Sequence, residues 1–240
     1  MHAEKYPLLL AAMICCAMLF AAPPARAVGV SAGLATWYAD WDTESQSPVN
    51  PALMYGPVLG LDLGKKWSLN SVFLMGNFKW ETPTGDVYDF RYDSDTTLNY
   101  AVFRWLKVFA GFKYMRYDED YKPMYVPFAE RDISIYSYGP GLGLGLTIPV
   151  SNSLFVLGNF SGLYLWGKFS GDSTRFISKG YNAALSLAYY LPWLPMTITA
   201  GYRYQLIKET SDVYTGGYFL LKFSGFTFSA VYHFSAGDDE

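Results

Sequence analysis

Cysteine and histidine are nearly absent from this chain of 240 residues, which contains two of each. Both cysteines, Cys15 and Cys16, lie in an apolar N-terminal run, so the remainder of the chain has no disulfide framework or thiolate metal site. Beyond that run His233 is the sole histidine, and no Gly-x-Ser-x-Gly elbow accompanies it. The parts of an acid–base or nucleophilic constellation are missing, and His233 reads as a hydrogen-bonded interior or interface residue. The charge of −3 and the lack of a basic tract argue against a nucleic-acid partner. No catalytic, cofactor-binding or metal residue is assigned.

Charge itself is missing from Gly139 to Gly167, yet this stretch is not written as a membrane helix. In Gly139-Pro140-Gly141-Leu142-Gly143-Leu144-Gly145-Leu146 large apolar residues alternate with small ones, a period of two. Each interior glycine would cost a helix about 1 kcal/mol relative to alanine. Two strands fit instead, turning at Pro149-Val150-Ser151-Asn152, with one face on lipid and the other on a crowded lumen.

The N-terminus reads as an export signal. Lys5 precedes the apolar run Leu8 to Ala22, and Ala25-Arg26-Ala27 matches a small-x-small cleavage pattern, so 1–27 is expected to be removed. Residues 28–234 then form one domain, and 235–240 form a short acidic periplasmic tail. Without Glu4, Lys5 and Arg26 the mature charge is about −4.

Ten strands are expected, at 28–41, 53–64, 67–80, 90–105, 108–118, 133–148, 153–169, 180–191, 196–208 and 217–234. The fold class is all-β: a transmembrane antiparallel up-and-down β-barrel of about ten strands, with eight as the alternative. Tight turns fall at Lys65-Lys66, Leu106-Lys107, Val150-Ser151-Asn152 and Pro192-Trp193-Leu194-Pro195, and longer acidic segments fall between. That alternation of short periplasmic turns and longer external loops belongs to outer-membrane barrels. In the last strand Phe219, Leu221 and Phe223 share one parity and Phe226, Phe228, Tyr232 and Phe234 the other, which suggests a bulge near Ser224-Gly225.

Tryptophan placement agrees with a membrane. Trp67, Trp105 and Trp193 fall at the periplasmic turns; Trp37, Trp41, Trp80 and Trp166 fall toward the outer ends with Tyr55, Tyr92, Tyr114, Tyr117, Tyr138, Tyr164 and Tyr204. Two aromatic girdles are the expected reading.

Several strands begin alike, as in Tyr55-Gly56-Pro57-Val58-Leu59-Gly60 and Tyr138-Gly139-Pro140-Gly141-Leu142-Gly143. With Gly201-Tyr202-Arg203-Tyr204-Gln205 and the closing Phe226-Thr227-Phe228-Ser229-Ala230-Val231-Tyr232-His233-Phe234, the mature chain resembles the small Gram-negative outer-membrane barrels of the opacity-protein and OmpW type. The resemblance implies a bacterial outer-membrane location and a terminal aromatic read by the assembly machinery. The repeated glycines read as relief of crowding in a narrow barrel.

Strand parity nominates the lumen. Leu59, Leu61 and Leu63 toward lipid turn Asp62 inward, and the same count turns in Asn99, Lys113, Asn182, Arg203, Gln205 and Lys222, with Arg91, Asp93 and Asp95 near the outer mouth. Arg or Lys facing mid-membrane lipid would cost about 2–4 kcal/mol. Asp62, Lys113 and Arg203, paired with one another, make a plug; unpaired, they line a wet path. The acidic loops offer oxygen ligands without the spacing of a calcium loop, and their basic members suit lipopolysaccharide phosphate.

The expected function is non-enzymatic: a structural envelope component or narrow passive pore for small solutes, acting as a monomer among outer-membrane lipid and lipopolysaccharide. The alternative is a surface-binding, adhesin-like or receptor-like role for the acidic, aromatic loops, Tyr121 to Phe128 above all.

Overall fold

A computed structural model describes residues 29–43, 49–82, 85–123, 131–170, 174–210 and 217–234. The expected signal segment, both cysteines and the acidic tail lie outside the described residues.

Alternation of apolar and small residues produces strands throughout: β1(Gly29–Thr43), β2(Val49–Asn50), β3(Ala52–Asp62), β4(Trp67–Thr82), β5(Gly85–Ala101), β6(Leu106–Pro123), β7(Arg131–Pro149), β8(Leu154–Phe169), β9(Arg175–Leu191), β10(Met196–Thr210) and β11(Phe219–Phe234). All pairings are antiparallel and join sequence neighbours, except that β1 pairs with β3 and with β11, and the two-residue β2 pairs with β4 in line with β3. β1 against β11 closes a barrel of ten strands. Closure matters because lipid offers no partner to an unpaired backbone group.

The turns follow local chemistry. Gly64, at φ 94°, takes the left-handed conformation in the turn where Leu63 N–H donates to Trp67 O at 2.9 Å. Ser151 Oγ accepts from the N–H groups of Ser153 and Leu154 at 3.3 and 3.1 Å, holding the β7–β8 hairpin.

Three expectations from sequence are corrected. The β5–β6 turn lies at 102–105, so Leu106 and Lys107 belong to β6. Strands β5, β6 and β9 run further outward than the composition of their ends suggests, because cross-strand pairing continues to Gly85↔Pro123 and to Lys168↔Arg175. β11 has no bulge: its register against β1 and β10 is unbroken, so Phe219, Leu221 and Phe223 enter the lumen while Phe226, Phe228, Tyr232 and Phe234 face lipid.

The outer wall is apolar, with Leu34, Leu142 and Phe226 each more than 65% exposed. A soluble protein does not leave such a surface to water. Trp67, Phe103, Trp105 and Trp193 ring the periplasmic end, and Tyr92, Tyr138, Tyr164 and Trp166 ring the outer side.

Candidate functional site: a lumen closed in its outer half

Odd-numbered residues of β1, β5, β6, β10 and β11 point inward, and they build two layers in the outer half of the barrel. The upper layer is aromatic. Trp41 packs on Phe78, Trp80, Tyr117 and Phe223 with ring centroids 5.0 to 5.6 Å apart. Trp37, wholly buried, meets Phe223 edge-on at 6.4 Å. Leu74, Leu165, Ile207 and Leu221 fill the remaining space. Trp37, Trp41, Trp80 and Tyr117 therefore do not belong to the lipid girdle; their parity places them in the lumen, opposite Leu34 and Tyr38, which face lipid.

Beneath and among these rings lies a charged layer. Asp93 accepts from Arg91 Nη2 and from Lys113 Nζ, each at 2.5 Å. Lys113 also donates to Asp95 at 3.1 Å, and Asp95 accepts from Arg203 Nη2 at 2.9 Å. Arg203 Nε donates to Asn182 Oδ1 at 3.0 Å, and Arg91 Nη2 donates to Gln205 Oε1 at 2.7 Å. Three cations thus share two carboxylates.

The extra positive charge meets ring faces. Arg91 lies 3.9 Å from the Phe223 centroid and 5.5 Å from those of Trp37 and Tyr117; Arg203 lies 4.5 Å from the Trp37 ring. Such contacts strengthen when desolvated. They also account for the position of Trp37, flanked by two guanidinium groups.

Asp89, opposite Phe78, and Glu209, opposite Ser178, are also buried toward the outer end of the lumen. Glu209 accepts from Ser178 Oγ at 3.4 Å. No group of three or more metal-ligating side chains occurs among the described residues.

The periplasmic half differs. Ser31, Asn70, Thr97, Asn159, Ser186 and Thr199 face inward but remain part-exposed, and Asn99 donates to Ser68 O and Thr97 O at 3.2 Å. The inward glycines of β7 make room for side chains lying against the wall. A Cβ at Gly143 would meet Phe109 Cζ at 2.3 Å, and one at Gly145 would meet Lys107 Cε at 2.3 Å.

Of the lumen residues nominated from sequence, Lys113, Arg203, Asn182 and Gln205 converge on one network, and Asn99 lies below it. Asp62 is not their partner: it is exposed at the periplasmic end of β3, opposite Gly29 and Ser68. The carboxylates are Asp93 and Asp95, on β5 across from β6. Lys222 also departs from expectation, since it points outward and donates to Asp42 at 2.7 Å. His233 shares a 2.7 Å hydrogen bond with Thr197 at the periplasmic end.

Closed antiparallel strands, an apolar outer wall and two aromatic rings define a transmembrane β-barrel of the bacterial outer membrane. The chain belongs to the outer membrane protein beta-barrel domain family, whose model matches residues 8–234. Among solved structures it is similar to the outer membrane protease OmpT from Escherichia coli, at 13% identity and a TM-score of 0.55, over 87% of this chain and 96% of that one. It is also similar to the translocator domain of the autotransporter NalP from Neisseria meningitidis, at 13% identity and a TM-score of 0.52, over 94% and 95% of the two chains. At such identity the likeness concerns the fold alone. No curated protein sequence matches the chain.

Proposed function

We propose that this protein is a non-enzymatic structural barrel of the outer membrane, closed to solutes by its own side chains. One observation carries the reading: the outer half of the lumen is filled from wall to wall by the Trp37–Trp41–Phe223 cluster and the Arg91–Asp93–Lys113–Asp95–Arg203 network. Barrels of about eight strands have interiors just wide enough for side chains to fill, and this one has added bulk where a wider barrel needs it. The absence of an enzymatic role is supported by His233, whose hydrogen bond is to Thr197 at the periplasmic end, away from the buried carboxylates.

The test is conductance of the refolded protein in planar bilayers. No unitary current steps are expected; sustained openings in the unmodified protein overturn the closed reading in favour of a narrow passive pore.

A second reading, surface binding, is supported by the continuation of β5 and β6 past the girdle to Gly85 and Pro123, which raises a paired wall above the membrane. Binding of the folded protein to intact host or bacterial cells, abolished by trimming that wall, would favour it over the structural reading.

A further inference from the structure

On the outside of β8, β9 and β10 the wall carries cations where it meets the outer girdle. Lys179 stands directly opposite Lys208, and Lys168 directly opposite Arg175. Like charges facing each other across a strand pair destabilise it. No described carboxylate comes within ion-pair distance of Lys168, Lys179 or Lys208, whereas Lys79, Arg116 and Lys222 elsewhere on the outer rim each have one. Each of the three instead lies over a tyrosine: Lys168 5.5 Å from the Tyr136 ring, Lys179 5.4 Å from Tyr164 and Lys208 3.8 Å from Tyr218.

These cations border an open cleft of about 940 Å³, whose apolar wall includes Tyr138 and Trp166. Two residues below Lys179 the surface turns to Tyr181 and then to Leu185 and Leu187, which face hydrocarbon. The place thus combines concentrated positive charge, ring faces and a path into the acyl region.

We propose that this cleft is a binding site for a phosphorylated, multiply acylated lipid of the outer leaflet, its phosphate held between Lys179 and Lys208 and its chains lying along the wall beneath. Charge complementarity selects the occupant. A dianionic phosphate removes the repulsion between Lys179 and Lys208, and oxygen acceptors match ammonium donors as point charges. The acyl chains distinguish this occupant from free phosphate.

The test is native mass spectrometry of the folded full-length protein in detergent, with diphosphoryl lipid A as probe. The unmodified protein is expected to retain one molecule. Lys179→Ala/Lys208→Ala should reduce its affinity at least tenfold, while Lys222→Ala on another part of the rim leaves it unchanged. Because both lysines are exposed, the double variant keeps the heat-dependent shift in SDS migration that marks a folded barrel. Equal retention by the double variant overturns the site. Retention of dephosphorylated lipid A overturns the role of the phosphate, equal retention of phosphatidylglycerol reduces the site to a general anionic surface, and displacement by millimolar inorganic phosphate alone overturns the lipid assignment.

Discussion

The two halves of the lumen are built from the same strands, yet one is dry and the other is not. In the outer half the inward positions hold Trp37, Trp41, Phe78, Arg91, Lys113 and Phe223, all buried. In the periplasmic half the same strands present Ser31, Asn70, Thr97 and Thr199, which remain accessible. A barrel wall of fixed radius therefore does not decide whether its interior is dry. Side-chain volume decides it, layer by layer, and the dry layers change the value of every charge in them. An ion pair in water contributes little, whereas a buried carboxylate shared by two cations is a structural joint.

The sharpest way to break this contrast is at Asp93, which joins Arg91 to Lys113. Asp93→Ala leaves both cations buried with reduced compensation, and its expected cost is about 3–5 kcal/mol in urea unfolding from lipid vesicles. Asn159→Ala in the accessible half serves as the comparison and should cost no more than about 0.5 kcal/mol. Similar losses for the two would mean that the halves are equally dry.

Arg203→Ala acts at the boundary, where Asp95 keeps some contact with water. The expected loss is about 2–3 kcal/mol, below that of Asp93 because solvent relieves the abandoned carboxylate. Bilayer conductance should be recorded on the same protein. Unchanged stability together with a clear shift in cation-to-anion selectivity would show that these charges line water.

Strand number, turn order and the inward side of Lys113, Arg203, Asn182 and Gln205 are legible in the sequence, because lipid on one face enforces strict alternation. The partner of Lys113 is not. Placing the β5–β6 turn at Leu106-Lys107 slides Lys113 toward Tyr100, whereas the observed turn sets Ala101 opposite Lys107 and so brings Asp95 opposite Lys113. An error of a few residues at a turn is harmless to the element and fatal to the pair. The tryptophans of the outer half mislead for a different reason. Position along the strand suggests a girdle, but Trp37 and Trp41 share the parity of Gly33 and Ala35, not that of Leu34 and Tyr38. Parity outranks height, since a side chain has no choice of face once register is fixed.

The smallest expected effect compares two inward glycines of β7, one in each half. At Gly139 an added Cβ would meet Tyr164 O at 2.2 Å and Leu165 Cα at 2.9 Å, both backbone atoms of the neighbouring strand. At Gly145 it would meet Lys107 Cε at 2.3 Å, Lys107 Cγ at 2.7 Å and Asn159 Oδ1 at 3.0 Å, all side-chain atoms. Backbone cannot yield without disturbing the pairing around it, so Gly139→Ala should cost about 1–2 kcal/mol by overpacking. The Lys107 and Asn159 side chains can give way where backbone cannot, so Gly145→Ala should cost less, below about 1 kcal/mol, offset further by the reduced freedom of the unfolded chain. Urea midpoints of the two variants, measured side by side in the same vesicles, decide the matter. A larger loss at Gly145 than at Gly139 would mean that Lys107 is held as firmly as the outer layers, and that the closed region reaches the periplasmic end.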